Sequence, residues 1–391
     1  MNPSPLRAGG AATTMTIACV IPVFLVGGLS VQITGDLGFG SSGVGLAVAT
    51  YFGTSALASI PAGRLVERYG AVACGRAAIA LSASSMLTIA AFARGLAALV
   101  IILAAGAAAN SLGQLASNLL VARHVPDGRQ GLLFGLKQAA IPASTLIAGA
   151  CVPIIALTVG WRWAFVMAGI LALTTMIPLR GLPAATPGPK RQDAKRMRPS
   201  AGLLITGAAA FCAASAASNI TPFLVATAVD HGLSPAAAGL TLTMGSFVGL
   251  IARIAVGWFT DRRRADGLLL VTVMLALGSG GLALISATPL WTLPIGVIIG
   301  YVFGWSWAGV LTYAVTTTNP EAPAAASGVM QTGVYLGGMA GPFTFGIIAE
   351  HHGYAPAWIA SGAIMLCAAA LTAVARGLLA PGRDRARLHT G

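Results

Sequence analysis

Acidic residues are scarce in this chain. Ten Asp and Glu stand against 23 Lys and Arg among 391 residues, and charged residues of both signs make up 8%. A soluble globular domain carries about 25%, so no soluble arrangement could cover its surface with polar groups. Residues 267–300 hold no charge at all. That shortage excludes a soluble enzyme, a nucleic-acid-binding domain and a disordered chain. Cysteine is scarce too: Cys19, Cys74, Cys151, Cys212 and Cys367 stand singly and far apart. They give neither a disulfide framework nor metal-ligand spacing. No nucleotide-binding loop and no nucleophile–base constellation is present, so we expect no metal, no cofactor and no enzymatic activity. Residues 1–10, with one Arg and two Pro, do not read as a cleavable signal peptide.

What is abundant is apolar sequence, 56% of the chain, with a mean hydropathy of +0.83. A bilayer core about 30 Å thick needs roughly 20 apolar residues per helix. Twelve such segments can be drawn, near 14–34, 42–62, 75–93, 96–122, 131–158, 162–180, 200–228, 235–257, 267–287, 289–318, 324–349 and 355–378. The expected fold is therefore an all-α membrane protein of twelve spans in two six-helix bundles. The bundles are residues 1–180 and 200–391, the second ending in a short tail. Between them, 181–199 is a linker rich in Pro and basic residues (Lys190, Arg191, Lys195, Arg196, Arg198), with lipid head groups as its expected contact.

The excess charge of +13 sets the orientation. With a cytoplasmic N-terminus, nineteen Lys and Arg fall in the inside segments and two, Arg94 and Arg162, outside; Lys137 and Arg253 fall within spans. The positive-inside rule then expects a multi-pass protein of the plasma membrane with both termini in the cytoplasm, and no nucleic-acid partner.

The halves repeat each other. At an offset of 194, Gly63-Arg64-Leu65-Val66-Glu67-Arg68 overlays Gly257-Trp258-Phe259-Thr260-Asp261-Arg262. At an offset of 193, Gly135-Leu136-Lys137-Gln138 overlays Gly328-Val329-Met330-Gln331, and Gly160-Trp161 overlays Gly353-Tyr354. Six spans per copy make this a parallel repeat about an axis along the membrane normal. At these residues the chain resembles the major facilitator superfamily, whose loop signature between spans two and three reads roughly G-x-L-x-D-R-x-G-R-R. Here it is Gly63-Arg64-Leu65-Val66-Glu67-Arg68-Tyr69-Gly70, with Glu67 at the usual Asp and Ala71-Val72 at the final basic pair. The second copy, from Gly257 through Asp261 and Arg262, keeps the Asp. The resemblance implies a secondary transporter working by alternating access, with these six residues (Gly63, Glu67, Arg68, Gly257, Asp261, Arg262) in gating.

Cargo in such a carrier binds near the bilayer midplane between the halves, and ionisable residues inside spans are costly and functional by default. Away from the segment ends, Lys137 and Arg253 are the only charges within the twelve segments, and both are cationic. At 1.5 Å per residue, Lys137 lies roughly 9 Å deep and Arg253 roughly 6 Å deep. Arg253 has two readings. Its side chain could snorkel to the surface. It could instead hold a carboxylate through its bidentate fork, as the resemblance of Ala252-Arg253…Gly257 to the monocarboxylate and oxalate/formate carriers implies. The lysine those oxalate carriers hold in span eleven has no counterpart, since 328–346 contains no Lys. The run from Gly135 to Pro142 is similar to the cyanate/nitroimidazole branch, whose members handle very small solutes.

Beside Lys137 stand Gln138 and, at the equivalent point of the second half, Gln331. Asn110, Gln114 and Asn118 are spaced i, i+4, i+8 along one helical face and could form a polar wall for an anion or serve as interhelical glue. Trp305, within the aromatic group Tyr301, Trp305, Trp307 and Tyr313, either closes over an apolar substrate tail or packs against Tyr335. The expected substrate is a small organic anion, monocarboxylate-like, carried by a monomer in the lipid bilayer. Protons or a counter-anion are the open coupling partners. The alternative is an exporter of drugs or amphipathic metabolites of the same superfamily. Against it, the fifth segment reads Ile141-Pro142-Ala143-Ser144 in place of a Gly-Pro-rich export signature, and the fourth has amides where exporters carry an arginine.

Overall fold

The computed structural model describes residues 5–124, 137–180, 200–263, 266–287, 289–318 and 323–388; of Trp258, Asp261 and Arg262 it describes the backbone alone. The linker 181–199 lies outside the described residues. Among those that are described, secondary structure is helical throughout, with no strand.

The first half contains α1 (Pro5–Gly28), α2 (Ser30–Leu37), α3 (Ser41–Phe92), α4 (Leu96–His124), α5 (Ala140–Cys151) and α6 (Trp161–Thr174). The second contains α7 (Ala201–Ala217), α8 (Ile220–Asp230), α9 (Pro235–Arg263), α10 (Gly267–Ile285), α11 (Thr292–Ile299), α12 (Trp307–Thr318), α13 (Pro323–His352) and α14 (Tyr354–Leu388). Two π-helical turns, Val152–Ala156 after α5 and Gly300–Gly304 between α11 and α12, carry their spans onward. Ten helices among the described residues are long and apolar enough to cross a membrane, and α5 with its π turn is a shorter apolar one, Ala140–Ala156.

One of the ten, α3, accounts for two crossings. Its 52 residues would run to about 78 Å at 1.5 Å per residue, more than twice a bilayer core of about 30 Å. The chain turns back at Gly70, where φ is 82° and ψ 166°, a backbone region open to glycine almost alone. The glycine of the signature loop is thus the residue that folds one helix into a pair. With that bend the helices supply the twelve spans expected. The internal repeat is visible in the backbone as well, since Gly160 and Gly353, which overlay in sequence, both turn with positive φ (100° and 85°) at the head of α6 and α14.

The halves meet along two antiparallel helix pairs, α5 with α9 and α3 with α13. Along the first, Gly149 faces Gly239, Thr145 Oγ1 meets Ser246 Oγ at 2.7 Å, and Arg253 reaches the Gln138 carbonyl. Along the second, Gly45 faces Pro342, Gly53 faces Met339, and the Tyr335 hydroxyl reaches Ser59. Small residues let the backbones approach closely. A Cβ added at Gly149 would lie 2.8 Å from the Gly239 carbonyl oxygen, and one at Gly27 would lie 2.8 Å from Pro222 Cα.

That closeness is confined to one end of the molecule. The other end carries Arg64, Arg68, Arg76, Arg180 and Arg376, with Arg76 bonded to the Leu179 carbonyl and Arg376 paired with Asp266 at 2.9 Å. Toward this basic end a Cβ at Gly257 or Gly328 would meet nothing within 4 Å among the described residues, and one at Gly63 would meet only Leu115, of its own half. The halves close at the far end and part toward the basic end.

Candidate functional site

The polar centre begins at Lys137, in the helical turn that leads into α5. Its side chain is 2% exposed. The ammonium Nζ donates to Gln114 Oε1 at 2.7 Å and to Asn118 Oδ1 at 2.6 Å. An i, i+4 pair on α4 presents both amides to one partner, which is why a single lysine can take both. An ammonium has three donors, and the third has no partner among the described residues. Both acceptors are neutral, and no acidic group among the described residues compensates the hydrogen-bonded charge.

Asn110 departs from the amide wall that the spacing suggested. It is buried and its Nδ2 donates to Ser55 Oγ on α3 at 3.3 Å, while its Oδ1 has no partner among the described residues. Around it, Ser55 donates to the Ala107 carbonyl, and Ser59 and Ser111 lie 3.3 Å apart. Asn110 therefore joins α4 to α3, and only Gln114 and Asn118 serve Lys137. Helical spacing put the three on one face, but α4 presents successive turns of that face to different neighbours.

Arg253 points inward from α9. Nη2 donates to the Trp305 carbonyl at 2.8 Å, Nη1 reaches the Gln138 carbonyl at 3.4 Å, and the guanidinium carbon lies 4.7 Å from the centroid of the Trp305 ring. Its Nε is buried with no partner among the described residues. The geometry differs from snorkelling, because every recorded contact runs to α12's approach or across to the first half. The carbonyl it touches belongs to the residue next to Lys137, so the two cations share one neighbourhood.

Trp305 follows the π turn, whose extra residue re-aims the chain between α11 and α12. Its ring packs edge-on against Phe24 of α1 at 6.5 Å and against Tyr301 at 5.3 Å. The expected partner Tyr335 is elsewhere, beside Ser59 and Gln331. Tyr301 fills the groove made by Gly245 and Gly249 of α9 and lies 3.5 Å from Ser246 Oγ. Trp307 is buried and Tyr313 is exposed. Gln138 and Gln331 are both exposed, toward the region where the halves part.

The two sides of this centre are unequal. The α5/α9 pair carries Lys137, Gln138 and Arg253, whereas α3/α13 carries Ser59, Gln331 and Tyr335. Of the residues expected to act in gating, Glu67 and Arg68 are exposed, with Arg68 5.2 Å from the Tyr69 ring centroid. Gly63 and Gly257 sit where space is open. The side chains of Asp261 and Arg262 lie outside the described residues.

Residues that the sequence did not single out complete the interface: Phe24, Ser59, Thr145 and Ser246. Small hydroxyls are common in membrane helices and usually bond their own backbone, as Thr145 also does to Pro142, so nothing in the sequence distinguishes the few that cross between halves.

Comparison with known proteins agrees with this architecture. The family description Major Facilitator Superfamily matches residues 9–206 and again 206–390. Two MFS-type transporters from two strains of Mycobacterium tuberculosis, both uncharacterized, are each 27% identical over 287 residues. The match covers 70% of this chain and 63% of each relative's own length. Among solved structures, a bacterial homolog to the human lysosomal transporter Spinster, crystallised in an inward-facing and occupied conformation, superposes with a TM-score of 0.74 at 16% identity. That match covers 96% of this chain and 97% of the other.

Proposed function

The chain belongs to the major facilitator superfamily, and from that premise we propose that it is a secondary transporter of a small organic anion, monocarboxylate-like, working by alternating access. Membership makes it a transporter of the membrane; the cargo is our reading. One observation carries it: Lys137, an ammonium 2% exposed, is held by the neutral amides of Gln114 and Asn118 alone among the described residues. A buried charge without a counter-charge is costly, and an anionic cargo supplies the missing charge on binding. Arg253 adds a second cation one residue away in space, with a buried Nε still to be satisfied.

Under the positive-inside rule the basic end is cytoplasmic, both termini lie inside at the plasma membrane, and the conformation described is open inward. Gln138, Gln331 and Asn118 then face cargo on the cytoplasmic side, and Glu67 with Arg68 meets the second half only when the carrier opens outward. Coupling falls to protons or to a counter-anion, and the functional unit is a monomer.

Thermal-shift measurements on the purified protein test the cargo class. Small carboxylates should raise the melting temperature, and the rise should grow with the logarithm of ligand concentration above Kd, since ligand binding to the native state stabilises by RT ln(1 + [L]/Kd). Stabilisation by aromatic cations and none by small anions would reject the anion reading in favour of an exporter.

A further inference from the structure

The N-terminus of α3 has no cap of its own. Gly40 occupies the N-cap position and offers no side chain, leaving backbone N–H groups unpaired within the helix. The missing acceptor comes from the other half. Glu350, near the end of α13, accepts the Ser42 N–H at 2.8 Å through Oε2. Beside it, Ser41 Oγ and the Tyr354 hydroxyl of α14 lie 2.8 Å apart. Both contacts tie the first half to the second at the far end, where the halves are closed.

Behind them lies a cavity of about 110 Å³ between the halves, lined by Ser30, Thr34, Val44 and Tyr354 among others. Ser30 is 2% exposed and its hydroxyl has no partner among the described residues. The cavity marks the passage that must open when this end parts. The internal repeat places Leu157 and Ala236 opposite Glu350 and Ser42, so the equivalent positions of the other helix pair carry no such charged tie.

We propose that Glu350 is a positioning residue of the transport cycle: its carboxylate caps α3 across the interface, holds the far end shut, and lets go when neutralised. A carboxylate at a helix N-terminus interacts favourably with the helix dipole and with the unpaired N–H groups, and both attractions fall when the charge is lost. The titratable groups around it are His351, its neighbour in the chain, Tyr354 on α14, and Asp230 at the end of α8, which acts on Tyr354. The inference is independent of the cargo.

The test uses the full chain in detergent with its five cysteines replaced by alanine and Val44→Cys as probe, a position 2% exposed in the closed end. Glu350→Gln should speed maleimide labelling about two- to fivefold, the range for a carboxylate at a solvated helix end. Glu350→Ala should do the same. Adding Gly40→Asp to Glu350→Ala gives α3 a local cap without the tie, and labelling should stay fast. An unchanged rate in Glu350→Gln, or a return to the slow rate with Gly40→Asp, overturns the proposal, the second because Glu350 then only completes a helix. The pH series is a further arm: the rate with Glu350 intact should approach that of Glu350→Ala as pH falls and the carboxylate protonates. A gap that does not narrow also overturns it.

Discussion

Arg253 holds Trp305 twice, by its guanidinium stacked 4.7 Å from the ring centroid and by Nη2 donating to the same residue's carbonyl at 2.8 Å. One residue thereby fixes both the ring and the backbone at the exit of the π turn. Through Nη1 it also touches the Gln138 carbonyl of the other half. The pair therefore sits at a junction of α9, α12, α1 and the approach to α5.

This relationship separates two substitutions at one site. Arg253→Lys keeps the charge but loses the planar fork and most of the stacking, so anion affinity should fall while remaining measurable. Arg253→Gln removes the charge, and loss of one partner of a buried charged pair costs about 2–5 kcal/mol. Binding measured by calorimetry on both variants should rank wild type above Arg253→Lys above Arg253→Gln. Equal affinity across the three would remove Arg253 from the site and leave it a purely structural clamp.

Much of this architecture is legible in the sequence, because hydropathy and basic-residue counts report what the bilayer demands of each segment. The number of spans follows from that, and the repeat from the overlay of the two halves; the bend at Gly70 shows only in the backbone. The neighbourhood of Lys137 with Gln114 and Asn118 is legible too, since i, i+4 spacing fixes a shared face. What spacing cannot fix is which helix a face meets. Asn110 shares the face of Gln114 yet turns to Ser55, and Trp305 turns from Tyr335 to Phe24 because a π turn shifts its direction. In the sequence Glu350 is only an acid just past the eleventh segment, and its partner Ser42 lies 308 residues away.

Gly70 offers a prediction about folding. At φ 82° and ψ 166° a residue with a Cβ is strained by of order 1–3 kcal/mol. Gly70→Ala should lower the melting temperature of the purified protein. Gly63→Ala, in the same signature but 4.0 Å from its nearest neighbour Leu115, should leave it close to wild type. Similar melting temperatures for the two variants would show that the bend tolerates a side chain.

At the far end Asp36 predicts a pH effect. The Arg162 guanidinium and the Trp161 indole N–H both bond its carboxylate, and Arg162, the larger influence, holds its pKa below the ordinary 3.8. A lowered native value means that the ionised form stabilises the fold. That contribution is complete above 3.8 and is lost as pH falls below it, through the native value. Asp36→Asn should therefore melt lower than wild type at pH 7, with the difference shrinking toward pH 3. A difference of constant size over that range would assign the effect to packing instead of charge.

Lys137 is where the transport reading is most exposed to refutation. Two substitutions remove its free positive charge by different routes. Lys137→Gln deletes the charge and leaves an amide that can still pair with Gln114 and Asn118, the two acceptors now at 2.7 and 2.6 Å. Asn118→Asp keeps the lysine and gives it a carboxylate at hydrogen-bond distance, so the site is neutralised from within. If the cargo is an anion, both variants lose the attraction that offsets its desolvation, and affinity should fall about 30- to 5000-fold, the equivalent of about 2–5 kcal/mol. Neither should unfold the protein: removing a buried charge, or pairing it, is often neutral or stabilising, so the melting temperature without ligand should hold or rise. Binding and proteoliposome uptake of a small carboxylate, measured beside the ligand-free melting curve, decide the matter. Loss of uptake with an intact melting curve in both variants is the expected result. Near-wild-type affinity in both would mean that the lysine only braces α4 against α5, and the search for cargo would then turn to aromatic and amphipathic compounds around Trp305.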